Sequence, residues 1–194
     1  MLLYLLILFD LKGVNFLVPL FNAILNKRVL SVKYQDFKSP EAYQIIFHPY
    51  YLKQYNNRWF AFGLNDANEI PTWNLALDRI VNITETDLVY RFTYIDWFDY
   101  FYDIVGVTQP EDGVAEEIKL SFSKDVAPYV MTKPIHVSQK HLLGLHSLEV
   151  RINVIPNFEL EKLILSFGEQ VKVISPEDLK LRIKQRLQKS IENY

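Results

Sequence analysis

The chain has 194 residues, enough for one generous domain or two small ones, and its 49% hydrophobic and 23% charged content excludes general disorder. It contains no cysteine, which excludes disulfides, thiolate metal sites and cysteine nucleophiles and fits a cytoplasmic protein. A net charge of -2 excludes a basic nucleic-acid footprint over the whole chain and leaves room only for a local basic patch.

Residues 1–9 are apolar, too short a run to span a bilayer as a helix, and they lack the basic start and small-residue cleavage site of an export signal. They read as a buried element, with no membrane role. Leu17, Leu20, Phe21, Ile24 and Leu25 recur at helical spacing, with Pro19 in a tolerated first turn and Lys27 and Arg28 at the negative end. Leu30, Val32 and Tyr34 then alternate with Ser31, Lys33 and Gln35, the pattern of a half-buried strand. A strand over 42–55 is expected to bend at His48-Pro49, turn tightly at Asn56-Asn57 and return from Arg58 to Leu64. Residues 72–86 read as one further strand, carrying Asp78-Arg79 near its end. Short strands at such spacing suggest a small curled sheet or barrel. A short helix is expected over 96–102, and a linker at 110–113 places the domain boundary.

The second half changes pattern. Strands are expected at 116–123, 135–140, 148–155 and 169–174. Helices are expected around Ala127, after an Asn157 N-cap, and over 176–194 with Ser175 as cap and Pro176 in the first turn. The order β-α-β-β-α-β-α is that of a ferredoxin-like unit with an added helix. Three segments follow: an apolar lead-in at 1–28, a small β-domain with a short aromatic helix at 29–109, and an α/β extension at 114–194. The fold class is α+β.

Trp59-Phe60-Ala61 after Arg58 resembles the signature tripeptide of WYL domains. His48-Pro49-Tyr50-Tyr51-Leu52 resembles the family's proline-containing strand, and Leu75 to Ile80 its closing strand. Val105-Gly106-Val107-Thr108 resembles bacterial members. Lys133-Pro134-Ile135-His136, Ser138-Gln139 and the run from Ile164 to Glu169 resemble the extension that accompanies such domains. The resemblance implies an Sm-like or SH3-like barrel followed by a ferredoxin-like extension, in bacterial transcription regulators that sense a nucleotide or single-stranded nucleic acid in a basic groove. Members commonly carry a helix-turn-helix. Only about a dozen residues precede the matching segment here, too few for its three helices. The chain is therefore expected to be a fragment, a truncated product or a sensor without its own DNA reader. Positions that are basic in typical members hold Ile45 and Ala76, and the signature Tyr and Leu are Phe60 and Ala61.

Tyr34, His48, Arg58, Trp59 and Arg79 are the candidate ligand-binding residues. Each has a structural reading beside it. Arg79 suits a phosphate clamp or an ion pair that pins the sheet equally well, since its fork of donors fits both. In a regular strand Asp78 would point away from it. Trp59 suits the core as well as a stacking platform, and His48 has no sequence neighbour that would make it a catalytic base.

His136, His141 and His146 lack any metal-ligand pattern, no serine sits in a nucleophile elbow, and no glycine-rich phosphate loop occurs. No cofactor, no metal and no enzymatic activity are expected. Asp96, Asp99 and Asp103 read as a wet helix face, and Lys180, Arg182, Lys184, Arg186 and Lys189 as a solvated face or a nucleic-acid contact. A homodimer is the expected assembly. An oligomerisation or protein-interaction module, or a relic that no longer senses, is the alternative to ligand sensing.

Overall fold

The computed structural model of the protein describes residues 12–194. The apolar segment 1–9, expected to be a buried element, lies outside the described residues. The chain is mixed α and β and forms two compact units that divide between Ile95 and Asp96. The division falls before the expected linker at 110–113, so the short aromatic helix goes with the second unit.

The first unit opens with a 3-10 turn (Val14–Phe16) and helix α1 (Leu17–Leu25), which buries Leu20 and Ala23. Strand β1 (Leu30–Tyr34) buries Leu30, Val32 and Tyr34, the apolar half of its alternation. Strand β2 (Tyr43–Tyr55) is antiparallel to it and runs on to strand β3 (Arg58–Asn65). Asn56 and Asn57 make the tight turn between them at φ 47 and 59, left-handed values that Asn tolerates and that match the twist of a hairpin. The register slips between Pro49 and Tyr51, where proline offers no ladder N–H. Gly63 faces that point, and a Cβ there would lie 2.3 Å from the His48 carbonyl. The close strand approach at the bend therefore needs glycine.

Residues 72–86 are not one strand. Strand β4 (Ile70–Ala76) pairs with β3, the 3-10 turn Leu77–Arg79 interrupts it, and strand β5 (Ile80–Glu85) pairs with β1. The sheet order is β4-β3-β2-β1-β5. A turn of only three residues thus joins strands at opposite ends of the order, which requires the sheet to curl until its edges approach. Gly13 packs against this turn. At φ 85, a Cβ on it would come within 2.2 Å of the Leu77 carbonyl oxygen.

The second unit starts with α2 (Trp97–Tyr102), whose N-cap Asp96 accepts from the Phe98 and Asp99 amides. Strand β6 (Glu116–Ser123), helix α3 (Ala127–Thr132), strands β7 (Lys140–Leu143) and β8 (Ser147–Val154), helix α4 (Phe158–Ser166), strand β9 (Val171–Ser175) and helix α5 (Glu177–Ile191) follow. All pairings are antiparallel, in the order β7-β8-β6-β9. Alternate residues of β6 and β8, including Ile118, Leu120, Val150 and Ile152, form its core with Leu160, Ile164 and Leu179.

Two local expectations fail here. Residues 135–139 do not form a strand: Gln139 Oε1 accepts from the Ile135 amide, His136 Nδ1 from the Ser138 amide, and these local bonds replace a ladder. At the start of α5, Pro176 itself is the N-cap and no side chain caps the helix, so Ser175 does not act as cap.

Asn157 does cap α4, accepting from the Leu160 amide at 2.9 Å, and its Nδ2 donates to the carbonyls of Val105 and Thr108. Glu161 receives Arg182 and Arg186 of α5, both at 2.8 Å. Two cations of the helix face expected to be solvated or open to nucleic acid are thereby committed to α4.

Candidate functional site

The 3-10 turn between β4 and β5 sends its two charged side chains to different places. Asp78 Oδ2 forms an ion pair with Arg58 Nε at 3.0 Å, while Asp78 Oδ1 is buried without a hydrogen-bond partner. Arg79 makes no ion pair among the described residues. Its guanidinium carbon lies 4.3 Å from the centre of the Phe37 ring, and its Nε is buried with no partner. A regular strand would separate Asp78 and Arg79 by its pleat; here the 3-10 geometry does so.

Tyr34 supports Arg79 from beneath. It is 5% exposed, its hydroxyl accepts from the Ala76 amide at 3.3 Å, and its ring meets Tyr43 edge-on. Burial raises its pKa, against the amide of Ala76 and the neighbouring Arg79 charge, which pull it down. The Tyr43 hydroxyl donates to Asp36, and burial together with that carboxylate pushes its pKa up to about 12. Asp36 in turn holds the β1–β2 loop by accepting from the amides of Lys38 and Ser39 and from the Ser39 hydroxyl. These bonds to its charged form keep its pKa low.

Loop and turn enclose a pocket of about 430 Å³, lined by Lys12, Gln35, Asp36, Phe37, Ser39 and Arg79 among others. That lies within the roughly 300–1,000 Å³ of small-molecule sites. Both acids lining it have a partner, Asp36 in its loop and Asp78 Oδ2 in Arg58, while Asp78 Oδ1 and Arg79 Nε are left unpartnered. Phe37 is 74% exposed and offers a ring face next to a guanidinium. Exposed aromatics with cations are the pairing that single-stranded nucleic-acid sites use.

The five candidate residues do not share one place. Tyr34 and Arg79 meet, and Arg58 joins them through Asp78. His48 is set apart: it is 2% exposed, Nδ1 accepts from the Arg91 amide at 3.0 Å, and Nε2 lies 3.5 Å from Asp66 Oδ1. Burial lowers its pKa, partly offset by Asp66. Around it, Tyr90 donates to the Pro49 carbonyl and Tyr50 to that of Arg91, so this cluster fastens the chain after β5 to β2. Trp59 is half-buried and lines a separate apolar pocket of about 490 Å³ with Leu17, Phe21, Ile24 and Leu52.

Lys12, Gln35, Asp36, Phe37 and Ser39 were not among the candidates. The turn signal at Lys38-Ser39-Pro40 marked the loop, but nothing local in sequence says that it folds back over Arg79. A larger pocket of about 670 Å³ in the second unit is lined by Asp112, Glu116, Glu161 and Asp178, with Arg182 already bonded to two of these acids, a setting hostile to anions. Among the described residues no group of three or more His, Asp or Glu side chains is placed to hold a metal ion, and no helix is long and apolar enough to cross a membrane.

The WYL domain family matches residues 15–85 and the WCX domain family residues 115–191. No curated protein matches the chain. Among solved structures, proteasome accessory factor B/C (PafBC) of Arthrobacter aurescens aligns over 94% of this chain and 27% of its own, at 14% identity and a TM-score of 0.38. A CRISPR Cas-related protein aligns over 94% of this chain and 52% of its own, at 11% identity and a TM-score of 0.52, a likeness of fold. The chain therefore spans about a quarter of the first of these structures and about half of the second.

Proposed function

We propose, from the premise that the chain is a WYL domain-containing protein with a WCX domain behind it, that it is the sensing part of a transcription regulator and takes a nucleotide or the end of a single-stranded nucleic acid beside Arg79. In this reading the curled five-stranded sheet is an Sm-like or SH3-like barrel, and the β-α-β-β-α-β run of the second unit is ferredoxin-like. The observation that carries the proposal is the state of Arg79. Its Nε is buried and unpartnered at the edge of a pocket of fitting size, and one oxygen of the neighbouring Asp78 carboxylate is paired with Arg58. An unsatisfied buried donor on a cation is costly unless something accepts from it, and a phosphate oxygen does so well.

The roles follow from position. Arg79 and Lys12 would receive phosphate, Phe37 would stack on a base, and Gln35 and Ser39 would offer polar contacts at the rim. Arg58 and Tyr34 act behind them, one by holding Asp78 and the other by supporting the guanidinium. The reading is non-catalytic. Ser138 Oγ lies 2.8 Å from His136 Nδ1, and both atoms also bind backbone: the Ser138 hydroxyl oxygen accepts from the Asn153 amide, and His136 Nδ1 from the Ser138 amide. Titration of a labelled oligonucleotide against the protein and its Arg79→Ala variant tests the proposal.

A further inference from the structure

Two acids line the pocket beside Arg79, and their oxygens are not equally filled. Asp36 Oδ1 accepts from the Lys38 and Ser39 amides, and its Oδ2 from the hydroxyls of Ser39 and Tyr43. Asp78 Oδ2 is paired with Arg58 at 3.0 Å, but Asp78 Oδ1 has no partner. The Asp78 side chain is 14% exposed, so water does little to compensate that oxygen for the bonds it gave up on folding. The pocket therefore holds two unfilled groups of opposite kind on consecutive residues, a donor at Arg79 Nε and an acceptor at Asp78 Oδ1.

An anion alone satisfies Arg79 and leaves Asp78 worse placed, because a second negative charge approaches a half-filled carboxylate. A ligand that carries a hydrogen-bond donor near its anionic oxygen satisfies both. Asp78 and Arg79 line one pocket of about 430 Å³, room for a single nucleotide unit, so donor and phosphate belong to the same unit. Within that unit the phosphate goes to Arg79 and the base to the ring of Phe37, which is 74% exposed at the rim. The sugar between them is the part left to face the deeper Asp78. In a strand the 3′ and 5′ oxygens of the sugar are esterified, and the 2′-hydroxyl is its only donor. DNA lacks that group.

We propose that Asp78 accepts a hydrogen bond from the 2′-hydroxyl of a ribonucleotide, so that the pocket takes single-stranded RNA in preference to DNA. The inference rests on the nucleotide-binding reading of Arg79 and gives Asp78 the specificity role within it. The carboxylate torsion of an aspartate is broad, so a small turn brings Oδ1 to the pocket while Oδ2 stays with Arg58. Arg58 is then a positioning residue, which holds the carboxylate charged and aimed. A bond from a hydroxyl to a charged acceptor is among the stronger ones. A deoxyribose strand leaves Oδ1 unfilled and still brings its phosphate charge. A site built around a hydroxyl rejects an analogue without it for that reason.

The test uses the full chain and labelled oligouridylate of one length in three forms, with ribose, 2′-deoxyribose and 2′-fluoro sugars. The fluoro strand keeps a ribose-like pucker and an electronegative 2′ atom but has no donor. Fluorescence anisotropy should show the ribose strand bound at least about tenfold more tightly than either of the others. Asp78→Ala should bring the three strands within about threefold of one another, whereas Arg79→Ala should weaken all three. Equal binding of the ribose and deoxyribose strands by the unmodified protein would overturn the inference and leave the Arg79 reading standing. Binding of the fluoro strand as tight as that of the ribose strand would do the same, since pucker and not the hydroxyl would then be read. A full preference for ribose in a folded Asp78→Ala would also overturn it. If that variant does not fold, the three strands on the unmodified protein decide alone. Binding of none of the strands would overturn both readings.

Discussion

Asp78 bonds Arg58 across the strands at 3.0 Å and not Arg79 beside it in sequence. The pair is only part-buried on its arginine side, but Asp78 is 14% exposed and one of its oxygens is already without a partner. Arg58→Ala would leave both carboxylate oxygens unsatisfied at the β4–β5 turn. The expected cost is about 1–3 kcal/mol of unfolding free energy, read from chemical denaturation. Asp78→Asn, which keeps the shape and part of the hydrogen bonding, should cost less. Equal losses from the two would show that charge dominates over the bond.

The fate of Asp78 and Arg79 marks the limit of the sequence. Alternation placed β1 well, because its buried residues lie at every second position, whereas β2 buries Phe47, His48 and Pro49 in succession at its bend. The Asn56-Asn57 turn was legible from residue type, since those side chains tolerate left-handed backbone. The break at Leu77–Arg79 was not legible. Leu77 continues the apolar pattern of Leu75, Asp78-Arg79 can sit in a half-exposed strand, and only closure of the sheet, a long-range demand, forces a 3-10 turn there. The same applies to the site. Arg79 and Tyr34 were readable as polar groups on apolar strands, but the loop carrying Phe37 joins them through tertiary folding alone. A lone histidine on an aromatic strand reads as a hydrogen-bonded structural residue as readily as a ligand contact, and both ring nitrogens of His48 face groups of its own unit. In the second half Asn157 announced its cap, while 135–139 looked like a strand because its local side-chain bonds cannot be seen from alternation.

His48 gives the first unit a pH dependence. Burial holds its pKa below the usual value of about 6.5, and its Nδ1 must stay unprotonated to accept from the Arg91 amide. The unfolded chain therefore takes up the proton first as pH falls. The stability that His48 contributes is complete above about pH 6.5 and is lost as pH drops through and below that value. His136, also held low by burial, acts in the same direction in the second unit. Thermal melts between pH 7.5 and 5.5 should show a smaller loss for His48→Gln than for the unmodified protein. Parallel losses would remove His48 as a contributor.

Asn157 is 5% exposed and serves three backbone groups, the Leu160 amide and the carbonyls of Val105 and Thr108. Asn157→Ala removes a helix cap and strands two carbonyls. The expected loss is about 1–3 kcal/mol. Asn157→Asp keeps the cap and loses the two donated bonds, so its loss should be intermediate and report on the 105–108 loop. Hydrogen exchange at α4 distinguishes them: the alanine variant frays the first turn, and the aspartate variant does not.

The central claim is that Arg79 is held for a ligand and not for the fold. Arg79→Ala gives up a cation–π contact with Phe37, worth about 0.5–1 kcal/mol, and the contact of its guanidinium with the Tyr34 hydroxyl, and it relieves an unsatisfied buried donor. Its melting temperature should therefore stay close to that of the unmodified chain. The decisive measurement is fluorescence anisotropy of a labelled single-stranded oligonucleotide at two salt concentrations, with both proteins. The account predicts binding by the unmodified protein that weakens as salt rises, and a loss of at least tenfold for Arg79→Ala. Binding at neither salt concentration, or equal binding by the two proteins, would contradict it.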